Sequence, residues 1–526
     1  MTPEQSQELI EYGARRTIIT ITVVLCTLLE LIDTTVVNVA TTTLMGNLGA
    51  TVSEVSWVIA SYAIANVIVV PMSGWLSSFF GRKYYFAGSV ALFTFSSLMC
   101  GLSGSIWTLV FWRFIQGIGG GALFSTSQTI LKEIYPPEKI GMAMAMFGMG
   151  VIVGPTIGPY LGGYLVYNYS WPVIFYVNIP IGIVATFLTL TYIRDNPYDT
   201  KPEGSIDWLG IFLLILGIGS LQLILEQGER NDWFESKFIL TFTAFTIIGL
   251  FGFILRELTA KNPIVDLRVL TKGNVAIGTF MNFILGFILF GSVFIYPIYM
   301  QRFLGFTAQM SGAMFIPGAL LSGMLMPVIG TLLSKGMPPK LMIMFGFMTT
   351  AVFVFWSSFI FTTNTGADAM FWPLIVRGFG MAFLFVPLSG LTLGGLMGKD
   401  VGQASGISNM IRQIGGSISV AVIGVLNETL SAKHRADLLT HITPENVTVM
   451  ERINMMKAGM LSATADADKA LQQAYAYLEF TIDKQAAILS YIDIFRWMAL
   501  VIVLSVPVVL LARTYKFDKD QMNEGH

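Results

Sequence analysis

The chain has 526 residues, 54% hydrophobic and 12% charged, with a formal net charge of -1 and a mean hydropathy of +0.68. Its charged fraction is about half the ~25% of soluble domains, so 31 basic and 32 acidic side chains cannot coat a water-soluble chain of this length, which excludes an ordinary cytosolic enzyme. The lack of a basic excess excludes a nucleic-acid binder, and two cysteines in apolar runs, Cys26 and Cys100, indicate neither a disulfide framework nor a thiolate metal site.

The polar start, Met1 to Arg16, precedes an apolar stretch too long for the core of a cleavable signal. A membrane helix needs about 20 apolar residues. Fourteen such stretches follow: 17–40, 54–77, 84–102, 106–131, 140–164, 171–193, 206–226, 236–256, 273–299, 308–333, 339–361, 369–397, 404–426 and 490–513. With the N-terminus in the cytoplasm, the inner segments hold eighteen Lys and Arg residues, Lys201, Lys516 and Lys519 among them; the short outer loops hold three, Arg230, Lys237 and Arg302. This asymmetry predicts N-in, C-in topology.

The first stretch carries Glu30 and Asp33, three apart and therefore on one helix face. Counted from Thr17 they sit beyond mid-depth, toward the outside. An ionised carboxylate at the centre of a membrane helix costs about 2.5–3.5 kcal/mol on insertion scales, so intramembrane acids read as functional. The three histidines, His434, His441 and His526, lie outside the apolar runs, which leaves carboxylates to carry protons. Arg113 in the fourth stretch is the counter-ion candidate, because guanidinium stays charged. Gln116 is one turn away in the same expected cavity. The fifth stretch has Gly150, Gly154, Gly158 and Gly162 four apart, with Pro155, Pro159 and Gly163. Small residues at that spacing form a groove for close helix approach, and the prolines bend it. Further along stand Arg377 and Arg412, the latter expected to snorkel to the inner surface. The segment 427–489 reads as a long outer loop in which Thr443-Pro444-Glu445 begins a helix.

Two anchors suggest an internal repeat. Arg113 before Gly117–Gly121 matches Arg377 before Gly378 and Gly380, and Gly74-Trp75-Leu76 before Gly81-Arg82-Lys83 matches Gly330-Thr331-Leu332 before Lys335. The first six stretches then align with the last six, the seventh and eighth being inserted, and parallel halves of this kind are a secondary-transporter pattern.

These residues resemble the major facilitator superfamily, specifically its fourteen-helix drug:proton antiporters. Leu31-Ile32-Asp33-Thr34-Thr35 through Asn38-Val39-Ala40 is similar to the first-helix motif, whose acid is tied to proton coupling. Gly74 through Gly81-Arg82-Lys83 resembles the gating loop between the second and third helices, with Ser78 where the family has an acid. Arg113-Phe114-Ile115-Gln116-Gly117 matches the fourth-helix motif, and Gly150 through Gly163 the antiporter motif. Ile174 through Asn178-Ile179-Pro180, Asp207-Trp208-Leu209-Gly210, Asn262-Pro263-Ile264-Val265-Asp266 and Arg412-Gln413-Ile414-Gly415-Gly416-Ser417 continue the likeness, whereas Glu30 is not part of the family motif.

The resemblance implies an all-α membrane protein of major facilitator fold: a six-helix bundle in 1–200, two inserted helices in 201–265, and a second bundle in 266–526 that includes the outer loop. It implies proton coupling through Asp33 and Arg113. Glu30, outside the motif, joins that set as a second buried acid on the same face, and the set is expected to open on a central cavity with Asn38, Gln116 and Arg377 as substrate-cavity candidates. The implied function is proton-driven efflux of hydrophobic or amphiphilic drugs from the bacterial inner membrane, or alternatively proton-coupled import of a small metabolite. No cofactor or metal is implied beyond the proton gradient. The expected partners are a periplasmic membrane-fusion adaptor, docked on 427–489, and a TolC-type outer-membrane channel. An enzyme is not expected, as no nucleotide-binding loop, metal cluster or nucleophile–base pair stands in the sequence.

Overall fold

A computed structural model of the chain describes residues 5, 8–198, 206–464 and 466–513. Lys201, Lys516, Lys519 and the boundary expected at 200/201 lie outside the described residues. The long helices in chain order are α1 (Gly13–Leu48), α2 (Val52–Phe80), α3 (Arg82–Gly101), α4 (Ile106–Ile134), α5 (Ile140–Asn168), α6 (Val173–Tyr192), α7 (Trp208–Gln227), α8 (Lys237–Thr259), α9 (Val275–Leu304), α10 (Ala308–Ser334), α11 (Pro339–Ile360), α12 (Ala367–Leu393), α13 (Lys399–Leu439) and α14 (Ala467–Leu511). Thirteen are long and apolar enough to cross a membrane. The other, α4, carries Arg113, Gln116 and Gln128 and is too polar by that measure, yet it packs among the rest.

Local chemistry sets several boundaries. Thr51 and Glu54 cap α2 reciprocally: the Glu54 N–H donates to the Thr51 hydroxyl and the Thr51 N–H to the Glu54 carboxylate. Gly49 ends α1 with φ of 61° and Gly305 ends α9 with φ of 72°, left-handed positions that suit glycine. Pro155 and Pro159 sit inside α5 without ending it.

The packing repeats. Helix α1 lies on α5 as α9 lies on α13, and α2 on α4 as α10 on α12. Helix α3 touches α4 and α6 as α11 touches α12 and α14. The two groups meet through α2–α13 and α5–α10, pairs that interchange under the same correspondence. Helices α7 and α8 pair with each other, and α7 rests on both α2 and α13. Near the end of the bundle where α1 begins, both cross-group contacts are glycine on glycine. A Cβ on Gly74 would lie 2.8 Å from the Gly402 backbone, and one on Gly330 2.5 Å from the Gly141 carbonyl. Gly81, with φ of 83°, turns the chain into α3, where the Lys83 N–H donates to Asp195 at 2.8 Å and Arg82 pairs with Glu133.

The segment 427–489 is not a loop. Helix α13 runs to Leu439 and α14 starts at Ala467, and a helix at Val447–Thr464 packs on α14. At about 1.5 Å per residue the 41 residues of α13 exceed a ~30 Å hydrocarbon core about twofold, so the two helices form a stalk. Arg435 of α13 donates to Glu479 and Asp483 of α14 at 2.8 and 2.7 Å. Thr443-Pro444-Glu445 does not open the middle helix. Pro444 occupies the second position of a turn closed by the Asn446 N–H on the Thr443 carbonyl at 3.0 Å, and Asn446 then precedes the helix.

Candidate functional site

Glu30 and Asp33 straddle the midpoint of α1, which extends eight residues past the apolar stretch. Four glycines of α5 bring that helix against α1: Gly150, Gly154, Gly158 and Gly162 lie over Val24, Leu31, Thr35 and Val36 respectively. Gly163 and Pro159 face the start of α10 instead. On the opposite side, Gly117 and Gly121 let α4 press on the backbone of α2, and Gly119 lets it press on α3.

Into this packing Arg113 projects with 1% of its surface exposed. Its Nη1 donates to Asp33 Oδ2 at 2.5 Å and to Gln116 Oε1 at 2.7 Å, and its Nε donates to the Val58 carbonyl at 3.2 Å. The guanidinium lies 4.2 Å from the centroid of the Tyr62 ring, a cation–π contact. Asp33 Oδ1 accepts from Gln116 at 3.0 Å and from Asn178 of α6 at 2.7 Å. Ser97 of α3 accepts from Gln116 at 2.7 Å. The structure therefore joins Asp33, Arg113 and Gln116 in one network, all of it within helices α1 to α6.

This corrects the expectation that Asp33 opens on a central cavity. With 2% exposure and a donor on each oxygen, it is sealed inside its own half. Gln116 is sealed with it and lines no space between the halves. Glu30, one turn earlier, turns toward α2. Its Oε1 accepts from Asn66 of α2 at 3.1 Å, while Oε2 is buried without a hydrogen-bond partner. Asn66 Oδ1 in turn accepts from Gln413 of α13 at 2.8 Å, so Glu30 is linked to the seam between the halves.

The other cavity candidates disperse. Asn38 is exposed on α1. Arg377 is buried within the second half, where its Nε donates to Ser292 of α9 at 3.1 Å and its guanidinium lies 5.3 Å from the Phe315 ring. Each half thus bridges its first and fourth helices through an arginine, with an acid on one side and a hydroxyl on the other. Arg412 does not snorkel. Only 5% exposed, it lies 4.1 Å from the Phe124 ring centroid across the seam. It borders a narrow polar cleft with Gln128, Asn282, Ser389, Thr392 and Asn409.

Toward the end where α1 begins, α4 reaches across. Gln128 accepts from Ser405 at 2.7 Å and Asn409 at 3.2 Å and donates to Ser389 at 3.2 Å. One turn on, Lys132 donates to the carbonyls of Leu393, the last residue of α12, and of Leu396 in the turn beyond it. Ser78, where the resemblance leads one to expect an acid, bonds back to the Gly74 carbonyl of its own helix at 3.1 Å. A cation on the last carbonyls of α12 is a favourable helix-terminus contact, and it ties the halves without that acid. Asn66 and Gln128 were not singled out in the sequence, and Asn178, Gln413 and Lys132 entered only as members of motif segments or of the charge count, with no site role; for the amides the available signal was a lone amide in an apolar run, as in Ala65-Asn66-Val67-Ile68.

A profile of the Major Facilitator Superfamily matches residues 23–420. The chain is 35% identical over 496 residues to the multidrug export protein EmrB of Escherichia coli (strain K12), covering 94% of each. It is 33% identical over 502 residues to the fatty acid resistance protein FarB of Neisseria gonorrhoeae, covering 95% of this chain and 97% of that one. Among solved structures it resembles the proton:xylose symporter XylE with a TM-score of 0.59 and 14% identity, over 95% of this chain and 99% of that one. It likewise resembles the human organic anion transporter MFSD10, with a TM-score of 0.57 and 13% identity over 95% of this chain and 100% of that one. At such identities the two solved structures speak for the fold alone.

Proposed function

The chain belongs to the major facilitator superfamily as an EmrB-like, multi-pass protein of the inner membrane, and from that premise we propose that it is a proton-driven multidrug efflux antiporter working by alternating access. The two halves are residues 1–200 and 266–526, with 201–265 inserted. The observation that carries the reading is the division of labour between two acids on one turn of α1. Asp33 has a cation and two amide donors, so its charge is used within the first half. Glu30 has one donor and one bare oxygen beside the seam, so it is the group that can exchange a proton as the halves rock. A proton on Glu30 removes the charge that holds an amphiphilic cation, and the two compete for it. Arg113 holds Asp33 in place, and Arg377, on the matching helix of the other half, is a polar brace there.

The driving force suffices. For a neutral drug, one charge crossing 100 mV yields about 2.3 kcal/mol, and tenfold corresponds to about 1.4 kcal/mol, so one proton sustains a roughly fifty-fold gradient. For a monovalent cation the exchange is electroneutral, and each unit of pH difference sustains about tenfold. The stalk built by 427–489 is the surface offered to a periplasmic adaptor and, through it, to a TolC-type channel. The test uses everted vesicles with an imposed pH gradient, to which ethidium is added. Wild-type protein dissipates the gradient, and Glu30→Gln is expected to lose that response and at least tenfold of the resistance. Undiminished proton release by Glu30→Gln refutes the reading, and proton movement of the opposite sign makes the protein an importer.

A further inference from the structure

We infer that Asn66 and Gln413 form a relay that couples the charge state of Glu30 to the contact between the two halves, an inference that rests on the proton-coupling reading above. The hydrogen bonds run in one direction. The Gln413 amide donates to Asn66 Oδ1 at 2.8 Å, and the Asn66 amide donates to Glu30 Oε1 at 3.1 Å. Asn66 has a single carbonyl and a single amino group, so the way it faces Glu30 fixes what it shows Gln413. A charged Glu30 only accepts, which turns the amino group of Asn66 toward α1 and leaves its carbonyl for α13. A protonated Glu30 donates with its one proton, and the favourable partner becomes the Asn66 carbonyl. That carbonyl then leaves Gln413, and the cross-half bond must be remade with Gln413 turned round, or lost.

The surroundings favour such a switch. Glu30 and Asn66 are both buried, where hydrogen-bond polarity is not averaged out by water. The charged and titratable groups that act on Glu30 are Asp33 on its own helix, Tyr62 of α2 and Arg412 of α13, with Arg113 of α4 paired to Asp33. Asp33 and Arg113 neutralise each other at 2.5 Å. Arg412 stands next to Gln413 in the chain and acts on Glu30 electrostatically, so a charged Glu30 draws α13 toward α1 twice, through the field on Arg412 and through the relay. Protonation weakens both together. Seam and proton site are thereby one device, and Asn66 is its positioning residue, not a proton carrier.

The test reads conformation without a substrate. Spin labels at Val52→Cys on α2 and Val425→Cys on α13 report the seam in the purified full chain in nanodiscs, the native Cys26 and Cys100 being buried. The wild-type distance distribution is expected to change between pH 5 and pH 8.5, and Glu30→Gln to hold the acid form throughout. Asn66→Leu and Gln413→Met should each move the midpoint to higher pH by about one unit, the size of one lost charge-assisted hydrogen bond, and the double variant no further. Asn66→Ser, smaller and still polar, guards against a packing defect and should fall between. Wild-type midpoints in both relay variants, with proton exchange lost in Glu30→Gln, overturn the relay and leave the antiporter reading intact. A wild-type seam that ignores pH overturns the relay as well, whereas ethidium-driven proton release by Glu30→Gln sinks the antiporter reading itself.

Discussion

The Asp33–Arg113 pair is where a conservative substitution will mislead. From the sequence, Asp33→Asn removes a proton carrier and leaves the fold alone. In the structure it strips the counter-charge from a guanidinium that is 1% exposed and hydrogen-bonded at 2.5 Å. Breaking a buried pair from one side costs about 3–5 kcal/mol, whereas replacing both members with apolar residues is often neutral or stabilising. Asp33→Asn is therefore expected to lower the thermal midpoint of the detergent-solubilised protein, and Asp33→Leu with Arg113→Met to recover most of it while remaining inactive. Equal melting of wild type and Asp33→Asn would show that the pair contributes little. The acids themselves were legible, because a charge in an apolar run is rare and expensive. Their directions were not. Three residues along a helix is about 300°, so Glu30 and Asp33 share a side broadly while one reaches the seam and the other the interior of its half. Only the neighbours on α2, α4 and α6 separate them.

Helix α5 shows how far spacing carries an argument. Four glycines in register announced a close helix contact, and the partner proves to be the acid-bearing α1. Their clearances differ. A methyl on Gly150 would sit 3.4 Å from Val24, an ordinary contact, whereas one on Gly154 would sit 2.7 Å from Leu31 Cβ, on the turn between Glu30 and Asp33. Overpacking of the second kind costs about 1–3 kcal/mol and shifts backbone. Gly150→Ala should thus keep near wild-type ethidium efflux in cells, and Gly154→Ala should reduce it severalfold with both proteins inserted at equal levels. If the two behave alike, the stripe acts by helix flexibility and not by clearance. The same spacing said nothing of Gly74 and Gly402, or Gly141 and Gly330, which seal the halves through single contacts between helices far apart in sequence. Gly74 and Gly330 were legible as matching anchors of the internal repeat, but nothing in the sequence named Gly402 and Gly141 as their partners, because a lone glycine carries no period.

Across the whole molecule, hydropathy located the long apolar helices, since hydrocarbon selects strongly for composition, but it misread the part that leaves it. Once α13 and α14 pass the membrane face they are ordinary polar helices, and a filter for apolar runs sees them stop at 426 and begin at 490. The structure continues both into a stalk, held by Arg435 between Glu479 and Asp483, by His434 with Asp493 at 2.9 Å, and by the packing of Val447–Thr464 on α14. The exposed Arg435 pairs contribute little each, about 0–1 kcal/mol, and they lie on the extension of α13 beyond its seam residues Gly402 to Gln413. The stalk is therefore separable from the transport machinery. Replacing residues 441–466 with a short glycine–serine linker is expected to leave ethidium-driven proton release in everted vesicles at wild-type size, because Glu30, Asn66 and Gln413 are untouched. In intact cells, where cargo must also be handed on across the periplasm, the same variant should lose most of its resistance. Loss of both responses would place the stalk inside the transport cycle, and loss of neither would leave the adaptor to dock elsewhere on the molecule.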